Sequence, residues 1–204
     1  MRVLRLGLVI ALIAIVGTLS ARAEFLAPDI GVRFPDALAG LQLRGEPHRY
    51  PQPGLGYSLN YTGPNISVDV YVYNADQRGI GTGVSAPVTQ QFAQAEGEMQ
   101  AYYRMQRQQA QRVDGGPQTL GTAPRQTQWL VARYDVQRGN QQLRSVVMVT
   151  GFRDYFVKVR ATFAAGGKAS DDPLAPFAAE LSTLLASSPP PGNPPPGNPP
   201  AGGK

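Results

Sequence analysis

The sequence of 204 residues has no cysteine and a single histidine, His48. The first absence excludes disulfides, thiolate nucleophiles and zinc–thiolate centres. The second leaves a transition-metal site without the several nitrogen or sulfur ligands it ordinarily needs. Charge is sparse, with Asp, Glu, Lys and Arg making up 16% of the chain. The formal net charge is +5, but Arg2, Arg5 and Arg22 all fall in the first 23 residues. Without them the balance is +2, with 16 basic against 14 acidic residues and no dense Lys/Arg tract. Nucleic acid is therefore not an expected partner.

The first 23 residues have the tripartite pattern of a secretory signal peptide. Arg2 and Arg5 precede an apolar run from Leu6 to Leu19, and Ala21-Arg22-Ala23 is a small-x-small cleavage site. The run is shorter than the roughly 20 residues that span a bilayer. The sequence predicts cleavage after Ala23 and an exported protein, periplasmic or secreted, with no integral span left. An uncleaved signal acting as a membrane anchor is the alternative. The arginines are not paired as in a twin-Arg signal, and no cysteine is available for lipid attachment. Export permits disulfides, but a domain of this size can bury enough apolar surface without them.

Residues 24–31 read as a flexible mature N-terminus, 32–187 as one globular domain and 188–204 as a disordered tail. The tail carries "PPPGN" twice in tandem, from Pro189 to Asn198, and ends in "PPAGGK". Such a stretch has nothing to build a core from and favours extended polyproline II.

Strand patterns dominate the domain. Strands are expected near Leu41–Arg44 and Tyr57–Tyr61. "ISVDVYVYN" alternates, with Ile66, Val68, Val70 and Val72 on one face and Ser67, Asp69, Tyr71 and Tyr73 on the other. A glycine-rich loop leads to a long helix capped by Ser85, with Pro87 in its first turn. Phe92, Ala95, Met99, Tyr102 or Tyr103, and Gln106 recur at helical spacing. Glu96 and Glu98 come early; Arg104, Arg107 and Arg112 come late, a polarity that complements the helix dipole. "DGGP", Asp114 to Pro117, is the expected stop. Three strands follow, Thr127–Val136, Leu143–Gly151 and Phe156–Phe163, the last two joined as a hairpin through Phe152–Tyr155. Asp172-Pro173 opens a terminal helix with a stripe of Leu174, Phe177, Leu181 and Leu184. The continuous apolar run Val146–Val149 indicates strands covered on both faces. The expected class is α+β: a mostly antiparallel sheet flanked by helices on both faces.

The order of "GYSLNY", "SVDVYVYN", the helix from Ser85 and "VVMVTGFRDYFVKVRATF" before a terminal helix resembles the PsbP-like α/β/α sandwich. It is similar too to small exported bacterial proteins of unknown function with that architecture. The resemblance covers roughly Val32 to Ala186, and the proline-rich tail stands outside it. It implies a non-enzymatic accessory or assembly role, and it carries no functional residue over.

The chemistry-bearing candidates have plainer structural readings beside them. Gly79, Gly81 and Gly83 give G-x-G-x-G, which lacks the dinucleotide spacing and a Walker lysine. Ser85 would need glycine where Pro87 stands to form a nucleophile elbow, and His48 would have to be its base; an N-cap is simpler. Glu96 and Glu98 are two apart on a helix and face different directions. Asp171 and Asp172 suit helix capping. No catalytic, cofactor or metal residues are assigned, and the chain is not expected to be an enzyme.

Two candidate contact surfaces remain. Tyr71 and Tyr73, joined by Tyr61 and Tyr134 from other strands, would make a tyrosine-rich sheet face; a helix packed over them is the plainer expectation. Phe152, Arg153 and Tyr155 combine aromatics with charge in a hairpin turn. Lys158 and Arg160 share a face and read as a sheet margin or edge strand. The function expected first is an exported, non-enzymatic accessory or interaction protein of the cell envelope that binds a protein partner. A module binding an envelope glycan, lipid or small molecule through the tyrosine face is the alternative. A hydrolase using Ser85 and His48 is the lesser one. Oligomeric state has no signature in the sequence.

Overall fold

The structure, a computed structural model, describes residues 24–165 and 172–190. The expected signal peptide, most of the expected tail and Asp171 lie outside the described residues. The strands are β1 (Phe25–Ala27), β2 (Val32–Phe34), β3 (Ala37–Leu38), β4 (Leu41–Leu43), β5 (His48–Arg49), β6 (Tyr57–Gly63) and β7 (Ile66–Tyr73), followed by helix α1 (Ala86–Met105). Then come β8 (Ala110–Thr122), β9 (Arg125–Arg138), β10 (Gln141–Phe152), β11 (Tyr155–Ala164) and helix α2 (Leu174–Ser187).

One antiparallel sheet carries the order β3-β4-β6-β7-β11-β10-β9-β8, with β5 added beside β6. The alternation in β7 holds: Val68, Val70 and Val72 are fully buried on one face. Its partners continue that face, since Val70 lies opposite Leu59 on β6 and Val159 on β11. The β10–β11 hairpin turns through two residues, Arg153 and Asp154, with φ of 52° and 63°. Two left-handed residues make the turn type whose twist matches that of paired strands.

The long helix begins as the sequence indicates. The Ser85 hydroxyl accepts from the Val88 N–H (3.4 Å) and donates to the Ile80 carbonyl (2.8 Å). It ends at Met105, well short of "DGGP". Arg107 takes the left-handed conformation, φ 54°. The Arg107 N–H donates to the Arg104 carbonyl and the Gln108 N–H to the Tyr103 carbonyl. That is a Schellman stop with arginine in the place glycine usually fills. Arg107 and Arg112 thus lie beyond the helix, and Arg112 is on a strand.

"DGGP" falls inside β8, a strand that sequence reasoning missed. β8 pairs with β9 alone, so Pro117 can face the unpaired side without interrupting a ladder. The strand shifts register between Arg112 and Asp114. At Gly115, φ is 155° and a Cβ would stand 2.5 Å from the Val131 carbonyl oxygen, so only glycine allows β8 to approach β9 there. The stretch expected to be a loose N-terminus is also structured. β1 pairs with β2, and Ala27 and Ile30 are fully buried.

Both faces of the sheet are covered, but unequally. α2 packs over β8 and β9, and the β1–β2 hairpin covers the same face farther along, where Phe25 meets Tyr57 edge-on at 5.1 Å. This face holds Trp129, Tyr61, Phe34 and Phe177, all fully buried. α1 lies on the opposite face over β9 and β10, placing Val88, Phe92, Met99 and Tyr103 on Val147, Val149, Ala132 and Tyr134. The cover of α1 extends to Phe156 on β11 and Tyr73 at the end of β7; past them, that face of β11, β7 and β6 has no helix above it among the described residues.

Candidate functional site

The uncovered strip of sheet is built by register. Ser58, Tyr71 and Lys158 form one row across β6, β7 and β11, and Asn60, Asp69 and Arg160 form the next. The second row is self-satisfied in part: the Asn60 amide donates to Asp69 Oδ1 (2.7 Å) and to Ser67 Oγ (3.0 Å). The first row opens into a cleft of about 200 Å³ lined by Tyr50, Leu55, Tyr71, Tyr73 and Lys158.

The cleft has a fixed outer wall. The Tyr50 N–H donates to the Gly56 carbonyl, closing the 50–56 loop, and the Asn74 and Ala75 N–H groups donate to the Gly54 carbonyl. Gly56 runs so near β7 that a Cβ would fall 1.9 Å from the Val72 carbonyl oxygen. Tyr50 and Leu55 are thereby held beside Tyr71. Leu55 is 44% exposed.

Lys158 is the charge in the floor. Its Nζ sits 5.0 Å from the Tyr71 ring centroid and 5.3 Å from that of Tyr73, and 3.8 Å from Glu98 Oε2 on α1. The negative faces of both rings attract the ammonium. Burial pulls its pKa down; Glu98 opposes that shift and Arg160 adds to it. Burial pushes the Tyr71 hydroxyl up to about 12, with Asp69 adding to the shift, and burial raises Tyr73 too, with Glu98 contributing. At neutral pH the tyrosines are uncharged donors rather than nucleophiles. The Tyr73 hydroxyl is fully buried and makes no well-formed hydrogen bond among the described residues, although the Gln91 side chain on α1 lies near enough to offset part of its upward shift.

Of the expected tyrosines, the structure joins Tyr71 and Tyr73 but not Tyr61 or Tyr134. Tyr61 lies opposite Val68 and so points to the other face, where its hydroxyl donates to the Pro35 carbonyl and its ring meets Phe177. Tyr134 shares the α1 face but sits on β9 under the helix, donating to Glu96. Lys158 and Arg160 are not on an edge, because β11 lies between β7 and β10. Tyr50 and Leu55, which complete the cleft, carry no local signal in "YPQPGLG"; only the folded loop brings them to Tyr71.

The β10–β11 turn is a clamp within the chain. The Arg153 guanidinium donates to the carbonyls of Ile30 (2.6 Å), Pro189 (2.6 Å) and Ser188 (2.5 Å) and stacks on Phe152. Phe152 and Tyr155 join the core of the α2 face, opposite Tyr71 and Tyr73. Asp154 accepts from the Gly81 N–H (3.0 Å), so a carboxylate occupies the glycine-rich loop where a phosphate would need to bind.

The remaining candidates separate. Ser85 is engaged as a cap, while His48 sits on β5 with its ring edge-on to Tyr50, 4.6 Å away. Glu96 binds Tyr134 and Arg112, whereas Glu98 binds Gln94 and Lys158. Asp172 accepts from the Leu174 N–H (2.9 Å) at the start of α2 and pairs with Arg133. Among the described residues, no group of three or more His, Asp or Glu side chains is placed to hold a metal ion, and no helix is long and apolar enough to cross a membrane.

A larger opening of about 550 Å³ lies between the end of α1 and the start of β8. Glutamines 100, 108, 109 and 111 line it with Tyr103 and Arg104. It offers amides and one guanidinium, with no carboxylate or histidine to act as acid or base.

No family model matches the chain, and no curated protein matches its sequence. Among solved structures it is similar to the solution structure of cyanobacterial PsbP from Synechocystis sp. PCC 6803, with a TM-score of 0.46 and 15% identity over 84% of this chain and 94% of that one. The likeness is one of topology.

Proposed function

We propose that this is an exported, non-enzymatic accessory protein of the cell envelope, and that it holds a protein partner in the Tyr50–Tyr71–Tyr73 cleft. One observation carries the reading: an aromatic cleft with a cation in its floor, open on the part of the sheet face that α1 does not cover. Pockets for small ligands usually enclose about 300–1,000 Å³ and surround most of the ligand. A 200 Å³ cleft is better matched to a few side chains of a polypeptide. Tyrosine suits such contacts, giving large area at low entropic cost with a hydroxyl at its tip. Export is supported by the N-terminal sequence pattern.

Tyr71→Ala is expected to abolish partner capture by the chain from Glu24 to Lys204 in envelope crosslinking, while its circular dichroism stays unchanged. Retention of the same partner by Tyr71→Ala, or substrate turnover that co-purifies with the wild-type chain, would overturn the proposal.

A further inference from the structure

Resting on that reading of the cleft, we infer that the segment it takes is a polyproline one and that the chain supplies one itself: residues 191–204 dock against Tyr50, Tyr71 and Tyr73. β7 lies between β6 and β11 with both edges paired, so a segment on this face cannot be added as a strand. It must be held by side chains alone. Polyproline II meets that condition, because its backbone makes no ladder and its prolines pack on aromatic rings.

The hydrogen-bonding groups agree. A proline run offers carbonyl acceptors and almost no N–H donors. The cleft presents the hydroxyls of Tyr50 and Tyr71 and the Lys158 ammonium, all able to donate. Its nearest carboxylate, Glu98, is already engaged by Gln94 and Lys158. The tail has no acidic side chain and only Lys204 as a basic one, so docking buries no unpaired side-chain charge.

The tail also starts within reach. Arg153 fixes the Pro189 carbonyl at the β10–β11 turn. From that turn, Lys158 is five residues along β11, roughly 17 Å at about 3.3 Å per strand residue. The fifteen residues after Pro189 extend roughly 45 Å as polyproline II, at about 3.1 Å each. That is enough to round the end of the sheet and enter the cleft from the α2 side.

The chain has no cysteine, so Ala201→Cys gives a unique attachment point for a nitroxide label. In the chain from Glu24 to Lys204, the label should broaden the resonances of Tyr50, Leu55 and Tyr71 several-fold more than that of Val113 on β8. An excess of unlabelled peptide of the tail sequence should reverse the effect, and a Tyr50→Ala/Tyr71→Ala variant should lose it while keeping a folded spectrum. Broadening that is absent, evenly spread or unaltered in the double variant overturns the inference. If it fails while Tyr71→Ala still loses its partner, the cleft reading stands without the tail. If the tail docks while Tyr71→Ala keeps its partner, the docking stands and the accessory reading falls.

Discussion

On the α2 face of the sheet, Trp129, Tyr61, Phe34 and Phe177 are fully buried; the Trp129 indole N–H donates to Ser182 Oγ at 2.8 Å, while the buried Tyr57 hydroxyl has no hydrogen bond among the described residues. On the α1 face, helix cover reaches Phe156 and Tyr73 and stops there, leaving Lys158 beside two tyrosine rings and a Tyr73 hydroxyl without a hydrogen bond among the described residues. Both faces belong to the same strands, so the difference comes from what lies above them. A second layer over all of one face supplies stability. The other face is covered only in part and leaves a strip of sheet open.

Trp129→Ala should have the largest effect. Removing a fully buried tryptophan costs about 3–5 kcal/mol, and the Ser182 hydroxyl would lose the indole donor while keeping its own bond to the Ala178 carbonyl. The urea midpoint should fall far more than for Tyr71→Ala. Equal losses would erase the distinction between the faces.

Alkali should act on both faces together. Tyr57, Tyr61, Tyr71 and Tyr73 all have pKa values raised above 10, by burial first. Above pH 10 the unfolded chain has lost these protons while the folded chain keeps them, so stability falls as pH rises toward the folded values. Lys158 works the other way: its lowered pKa means stability rises as pH approaches its ordinary 10.5. Tyr134 and Tyr155 are raised as well, so one lysine stands against six tyrosines; urea midpoints should drop above pH 10, with the tyrosinate absorbance of the buried rings appearing on unfolding. A midpoint that holds would contradict the burial assigned to these hydroxyls.

Arg153→Ala tests the junction between the two faces. Losing its bonds to three carbonyls should cost about 1–2 kcal/mol, discounted for partial exposure. Amide exchange should accelerate in the last turn of α2 and not in α1. The finest contrast is a pair of hydroxyl deletions. Tyr61→Phe removes a bond to the Pro35 carbonyl and should lower stability by about 1 kcal/mol, whereas Tyr73→Phe removes a buried unpartnered group and should raise it by up to about 1 kcal/mol. Shifts of the same sign would mean that the Tyr73 hydroxyl has a partner.

Local patterns were legible where they were periodic or punctuated. The alternation in β7, the Ser85 cap and the Phe152–Tyr155 hairpin all stand in the sequence and in the fold. β8 was hidden because Gly-Gly-Pro reads as a breaker, and only an edge strand with a close approach at Gly115 accommodates it. The end of α1 was hidden because its stop uses Arg107 rather than glycine. The site was legible by halves. Tyr71 and Tyr73 follow from alternation, but the opposite facing of Tyr61 depends on β6–β7 register. The interior position of Lys158 depends on β7 pairing with a strand some ninety residues later in the chain. Tyr50 and Leu55 enter the cleft through backbone bonds of the 50–56 loop, which no side-chain pattern announces.

The most direct test places a photoreactive residue at Leu55, on the cleft rim, and separately at Ala186, exposed on α2, each in the full chain expressed in its own cells. The account predicts a discrete adduct with a protein partner from position 55, lost when Tyr71→Ala is added, and none from position 186. No adduct at 55, or the same adduct from both positions, would contradict it.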